Sequence, residues 1–298
     1  MRDGVRTDKR RDILNTPARI ARMREERRRR LIKAGIIFGI VVVIVGAVSW
    51  GLHRPQVRIQ SVTVLGGHVL RPDEVAAFTS EELKGEYLLL FPRNNAFLYS
   101  DATLAKALKA HFPRIENVRT KLDGLTTLTI TITERAPVAL WCGESYEPIA
   151  EMRECFFLDT QGFVFAPAPQ FSGNAYVSFY GHLGDAASSS KGTSGDPLGN
   201  TFLTPDEFAT LAKFTAVAGA TLSPVTATVL SSGRRTLILS QGAEIRFSDG
   251  QDLAHLIVNL TAAVDAKRKE AKHDMSTELE YIDLRLADSS DRVYFKFK

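Results

Sequence analysis

What is scarce in this sequence limits what it can do. Only 2 cysteines and 6 histidines occur in 298 residues. His53, His68, His111, His182, His255 and His273 are dispersed, and none stands at metal-ligand spacing from another histidine or a cysteine, so no metal is expected. Gly192-Thr193-Ser194-Gly195 lacks the spacing of a nucleophile elbow. No phosphate loop or dinucleotide fingerprint is present, and so no cofactor is expected. Glu280 and Asp283 read as strand-surface charges, not as an acid and base. The sequence offers no catalytic residue and points away from an enzyme.

Long apolar runs are equally rare, with one exception. Ala34 to Leu52 carries no charge and comes directly after Arg27, Arg28, Arg29, Arg30 and Lys33. As a helix it would be about 28 Å long, close to the hydrocarbon thickness of a bilayer. Residues 1–33 are expected to form a basic tail held on the cytoplasmic side, because basic flanks resist translocation. A cleavable signal peptide is the rival reading. Against it, the run exceeds the roughly 7 to 15 residues of such a peptide, and Ser49-Trp50-Gly51-Leu52-His53-Arg54-Pro55 has no Ala-x-Ala pattern.

The net charge of +4 conceals an asymmetry: 13 basic and 5 acidic residues precede Ala34, leaving −4 for everything after. The basicity therefore sits beside the expected membrane, where it would meet anionic lipid. No extended basic patch remains outside, and nucleic acid is not an expected partner. Cys142 and Cys155 fall on the outer side, where disulfides persist. A bridge would close a loop of 14 residues and would be worth about 3 kcal/mol. Two free buried thiols are the other reading.

Beyond the span, Ile59 to Leu65 reads as a strand ended by Gly66-Gly67. Arg71-Pro72-Asp73-Glu74 opens a helix. Ser100-Asp101 caps a second, whose Leu104, Ala107, Leu108 and His111 share a face before Pro113 stops it. Strands come next at Asn117 to Leu122 and Thr126 to Thr133, the latter with Leu128, Ile130 and Ile132 alternating against threonines. This strand, helix, helix, strand, strand order is a compact α+β unit.

The remainder is mostly strand: Pro137 to Trp141, Cys155 to Leu158, Phe163 to Ala166 and Tyr176 to Tyr180, with Asp159-Thr160-Gln161-Gly162 as a hairpin turn. Residues 184–200 are small and polar and read as an exposed, flexible loop. Thr204-Pro205-Asp206-Glu207 is a capping box with Pro at the first helical position. Strands at Ala227 to Leu230, Arg235 to Leu239 and Glu244 to Phe247 precede a helix opened by Ser248 and Gln251, striped by Leu253, Leu256, Ile257, Leu260 and Val264. Tyr281 to Leu286, a turn at Asp288-Ser289-Ser290 and Arg292 to Lys298 make a closing hairpin.

A basic tail, one span and a βααββ unit running into Glu134-Arg135-Ala136-Pro137-Val138-Ala139-Leu140-Trp141 resemble the FtsQ/DivIB family of bacterial cell-division proteins. Phe157-Leu158-Asp159-Thr160-Gln161-Gly162-Phe163-Val164-Phe165 and Tyr281-Ile282-Asp283-Leu284-Arg285 are similar to two further motifs of that family. The resemblance implies a POTRA domain at 57–133 and a mixed, mainly antiparallel β domain with flanking helices at 134–298, after a transmembrane helix at 34–52. It also implies a non-enzymatic adaptor of the divisome at the plasma (inner) membrane of the septum. Its partners would be FtsB/DivIC-like and FtsL-like coiled-coil proteins and other divisome membrane proteins. Segment 142–155 and loop 184–200 stand out as insertions without a family role.

In Arg292-Val293-Tyr294-Phe295-Lys296-Phe297-Lys298, Val293, Phe295 and Phe297 alternate with Tyr294, Lys296 and Lys298. One edge of such a strand pairs with its hairpin partner, and the other could accept a foreign strand. An ordinary edge strand guarded by lysines is the plain alternative. In the family the corresponding strand binds FtsB by strand addition. Two other functions remain to be weighed: a component of outer-membrane or secretion machinery, which the lack of further barrel strands disfavours, and a membrane-tethered hydrolase, for which no constellation is found.

Overall fold

The computed structural model describes residues 17–88, 90–147, 154–171, 173–184, 196–270, 274–275, 277–287 and 292–298. Residues 1–16 of the basic tail, 148–153 between the cysteines, 185–195 of the expected loop and the turn at 288–290 lie outside the described residues.

Helix α1 runs from Pro17 to Leu52. It begins well before the uncharged run because Pro17 suits a first helical position and the residues between it and Ala34 are mostly strong helix formers, Ala, Arg, Leu, Met and Glu. Within it, Glu25–Leu52 is long and apolar enough to cross a membrane. A 3-10 turn at Pro55–Val57 leads to β1 (Ser61–Leu65), α2 (Pro72–Glu82), β2 (Glu86–Tyr87), β3 (Phe91–Pro92), α3 (Asp101–His111), β4 (Ile115–Asp123) and β5 (Thr127–Glu134). Strands β1, β5 and β4 form a three-stranded sheet in that order. The small β2–β3 hairpin between the two helices is not anticipated by the sequence pattern.

By compactness the chain divides into Met1–Val62, Leu83–Ser100 and Lys121–Thr129 as one unit, and Thr63–Glu82, Asp101–Thr120 and Ile130–Lys298 as the other. In the first, the chain leaving α1 is stitched to the segment after β3: Ile59 N donates to Asn94 O (2.7 Å) and Ala96 N to Val57 O (2.9 Å). Asn95 is wholly buried. Its Nδ2 donates to Leu52 O (2.9 Å), satisfying a helix-end carbonyl that has no intrahelical donor, while its Oδ1 accepts from Phe97 N (2.9 Å).

In the second unit, Val75 and Thr79 of α2 and Leu104 and Leu108 of α3 are buried, as are Ile130 and Ile132 of β5. Phe78 stacks on His111 with ring centroids 4.1 Å apart. At the end of β5, Glu134 Oε1 accepts from the amides of His68 (2.7 Å), Val69 (3.0 Å) and Leu70 (2.9 Å). Burial pushes this carboxyl up, but those amides, Leu70 first, outweigh it and hold it below the ordinary glutamate range.

Nine strands make the large sheet: β6 (Ala139–Trp141), β7 (Cys155–Leu158), β8 (Val164–Ala168), β9 (Ser178–Tyr180), β10 (Val225–Ser231), β11 (Arg234–Leu239), β12 (Glu244–Ser248), β13 (Leu279–Asp283) and β14 (Tyr294–Phe297). Their order is β14-β13-β12-β11-β10-β9-β6-β7-β8. Hairpins account for the antiparallel pairs. Three pairs are parallel and need crossovers: α4 (Pro205–Thr221) supplies that of β9–β10, α5 (Leu253–Glu270) that of β12–β13, and the β7–β8 hairpin lies between β6 and β9. The sheet is thus mixed and mainly antiparallel.

Both crossover helices cover one face of this sheet. Phe208, Leu211, Phe214 and Ala218 of α4 and Leu256, Leu260 and Val264 of α5 share a core with Leu237, Ile245, Phe247 and Ile282. Each of the Phe, Leu, Ile and Val side chains among them contributes roughly 1.5 to 3 kcal/mol on burial. The capping box at Thr204 and Glu207 is formed. For α5 the start differs from the expected one: Asp252 Oδ1 accepts from Ala254 N (2.9 Å), so Asp252 caps the helix, while Gln251 Oε1 instead accepts from Ser248 N (2.6 Å). On the opposite face, Leu140, Cys142, Tyr180 and Ala227 form a smaller cluster. Cys142 and Cys155 are joined in a disulfide between neighbouring strands, with Cα atoms 4.2 Å apart.

Two sequence motifs meet in this unit. Arg135 pairs with Asp159, and its guanidinium also lies 4.1 Å from the ring centroid of Phe163. Of the expected loop, residues 199–200 are anchored to β8, through Val164 N to Asn200 O and Gly199 N to Val164 O (each 2.9 Å).

Candidate partner-binding edge

The seven residues singled out at 292–298 form one end of the nine-stranded sheet. Strand β14 covers Tyr294–Phe297, and β13 lies at Leu279–Asp283, two residues earlier than the expected start at Tyr281. A register shift between Leu279 and Tyr281 accounts for the difference, since it breaks the alternation by which a strand is read. The pairing is antiparallel, with Tyr281 opposite Lys296, Ile282 opposite Phe295 and Asp283 opposite Tyr294. Among the described residues no strand lies on the other side of β14.

Side chains alternate as expected. Val293, Phe295 and Phe297 are half-buried against the core, whereas Arg292, Tyr294, Lys296 and Lys298 are exposed. The rings of Phe295 and Phe297 stack at 6.3 Å. On the exposed face, Lys296 Nζ donates to Glu280 Oε1 (2.8 Å). That acceptor raises the lysine's pKa and keeps it charged. Tyr281 lies beside Lys296 and beneath the Arg246 guanidinium, 4.2 Å from its ring centroid. Asp283 is occupied by Arg285, whose side chain donates to it and holds its carboxyl below the ordinary range.

Backbone direction is set by one bond. Lys298 N donates to Glu278 O at 2.8 Å. Because direction alternates along a strand, the Lys296 amide also faces β13, and the Phe295 amide faces outward.

Beside this edge runs a groove of about 450 Å³ between α5 and β14, lined by Asn259, Ala262, Ala263, Ala266, Val293 and Phe295, among others. Alanines at successive turns of α5 leave the hollow that larger side chains would fill. The sequence pattern singles out the strand but not this helix face, although the alanine spacing is visible in it. The opposite end of the sheet is different: β8 is bonded at Val164 by residues 199–200 and carries Pro167, which has no N–H.

A strand edge that no other described strand covers can take up an extended segment, here beside a groove whose alanines, Val293 and Phe295 are joined by the polar Asn259, Lys267 and Glu270. Among the described residues no three His, Cys, Asp or Glu side chains gather as a metal site. Compared with known proteins, the chain matches no family model and no curated protein.

Proposed function

We propose that this chain is a bitopic, non-enzymatic adaptor of the bacterial divisome. In this reading α1 anchors it in the plasma membrane with the basic tail on the cytoplasmic side. The part beyond Leu52 binds FtsB/DivIC-like and FtsL-like proteins and helps to localise septal wall synthesis. The identity of the partners rests on the resemblance of the 134–141, 157–165 and 281–285 motifs to the FtsQ/DivIB family. The observation that carries the binding mode is the outer edge of β14, with an outward Phe295 amide, beside the α5 groove. A partner segment would add as a tenth strand, its main chain bonding β14 and its alternate side chains seating over Val293 and Phe295 against the alanines of α5.

The test is binding of the full-length chain, in nanodiscs, to the host's FtsB/DivIC-like protein, comparing Phe295→Ala with Phe295→Pro. Both lose the ring, but only proline removes the outward amide. Loss of one such bond predicts about tenfold weaker binding for Phe295→Pro than for Phe295→Ala. Equal affinities would reject strand addition at β14. Undiminished binding after deletion of residues 292–298 would reject this edge altogether.

A further inference from the structure

We infer that the β2–β3 hairpin is a membrane-interfacial anchor whose turn presents Tyr87, Leu88 and Leu90 to the lipid leaflet at the Leu52 end of α1. The inference rests on α1 crossing the bilayer.

The hairpin lies alongside the last turns of that helix. Ser49 Oγ donates to Leu90 O at 2.7 Å, and His53 Nε2 stands 3.3 Å from Glu86 Oε1. His53 is four residues beyond Ser49, so passing from Glu86 to Leu90 the hairpin runs back along α1 by about 6 Å. Its turn, closed by Leu90 N to Tyr87 O (3.1 Å), sits at the level of Ser49, inside the uncharged run of the helix. The Asn95 bond to Leu52 O fixes the base of the same segment.

What the turn presents is apolar. Leu88 is 84% exposed, Leu90 44% and Tyr87 40%, with Trp50 of α1 at 66% nearby in sequence to Ser49. Charges begin only at the base of the hairpin and past the helix end. There the Arg93 guanidinium lies 5.2 Å from the centroid of Tyr87 and that of Arg54 3.7 Å from the centroid of Trp50. Rings at the boundary with cations on the headgroup side are the pattern of an interface.

Leu88 adds an independent sign. Its φ is +53°, a left-handed conformation that suits glycine or asparagine and is unfavourable for leucine. In water such a position gains nothing from a leucine left open to solvent. In lipid the side chain is buried at a depth of the order of 5 Å, as in other interfacial elements.

The test uses the full-length chain reconstituted, with no other protein, into vesicles of phosphatidylethanolamine and phosphatidylglycerol. Cys142 and Cys155 are bonded to each other, so a fluorophore can be placed on Leu88→Cys or, in the middle of α1, on Val43→Cys. Doxyl-labelled lipid near the headgroup should dim the Leu88 probe by about twofold, whereas label near the chain ends should dim the Val43 probe more. Quenching at Val43 with an iodide-accessible, unquenched Leu88 probe would overturn the hairpin inference and leave the span intact. No lipid quenching at either site would overturn both. Leu88→Asn keeps a left-handed turn while removing the apolar tip, and with the probe on Tyr87→Cys it should lower lipid quenching about twofold. Unchanged quenching there would count against insertion of Leu88. A Leu88 probe left unquenched by lipid label but shielded from iodide once a partner protein is added would assign the patch to protein instead.

Discussion

Arg135 and Asp159 form an ion pair with little solvent contact, their side chains 13% and 6% exposed. Each group has further partners. Arg135 Nε donates to Pro113 O (3.1 Å), and Asp159 Oδ1 accepts from the amides of Gln161 (2.8 Å) and Phe163 (3.0 Å). The aspartate thereby shapes the β7–β8 turn while the arginine, directly after β5, ties that turn to Pro113 ahead of β4. Arg135→Ala leaves a buried carboxylate unpaired and should destabilise the chain by about 3 to 5 kcal/mol. Urea unfolding in micelles measures this. A variant that removes both charges, Arg135→Met with Asp159→Asn, should recover part of the loss.

Gly162 in the same turn has φ +72°, and a Cβ there would lie 2.9 Å from Phe208 Cγ. Gly162→Ala therefore meets both backbone strain and the α4 core, and a cost of about 1 to 3 kcal/mol is expected in unfolding. Gly124, with the same φ but nothing within 4 Å, is the control, since alanine there adds only the backbone penalty.

The Glu134 carboxylate sets a pH dependence. Its folded pKa is depressed, so its contribution is present above the unfolded value of about 4.3 and is lost as pH falls through the folded value. Wild type should therefore lose unfolding midpoint on acidification below about pH 4 more steeply than Glu134→Gln. Parallel profiles would show that the three amides do not depend on the charge.

Reducing the Cys142–Cys155 bond, or replacing both residues with serine, should cost up to about 3 kcal/mol for a loop of this length. The bridge joins β6 to β7, far along the strand order from β14. Stability should fall while binding at the β14 edge stays unchanged, which titration of the reduced chain with the partner would read out.

Much of this architecture is legible in the sequence where local chemistry decides it. Leu128, Ile130 and Ile132 alternate, and all three are buried in β5. Thr204 and Glu207 cap α4 as their spacing dictates. The β2–β3 hairpin escapes such a reading because its strands are two residues long and its apolar residues adjoin without alternating. The start of α5 is ambiguous because Ser248, Gln251 and Asp252 all offer capping chemistry, and only the backbone path selects Asp252. Strand order is not legible, since β9 pairs with both β6 and β10 through contacts distant in sequence. The β14 edge is readable as a strand, but its place at the end of the sheet depends on all the others.

That place also bounds stoichiometry. One end of the sheet is bonded at Val164 by residues 199–200 and carries Pro167, while no strand flanks β14 at the other end among the described residues. Head-to-tail addition of copies, which makes open filaments, needs two complementary ends. With the β8 end covered at Val164 and lacking a donor at Pro167, strand addition is favoured at β14 among the described residues, where a single incoming strand and a symmetric pairing of two copies would compete for the same backbone groups.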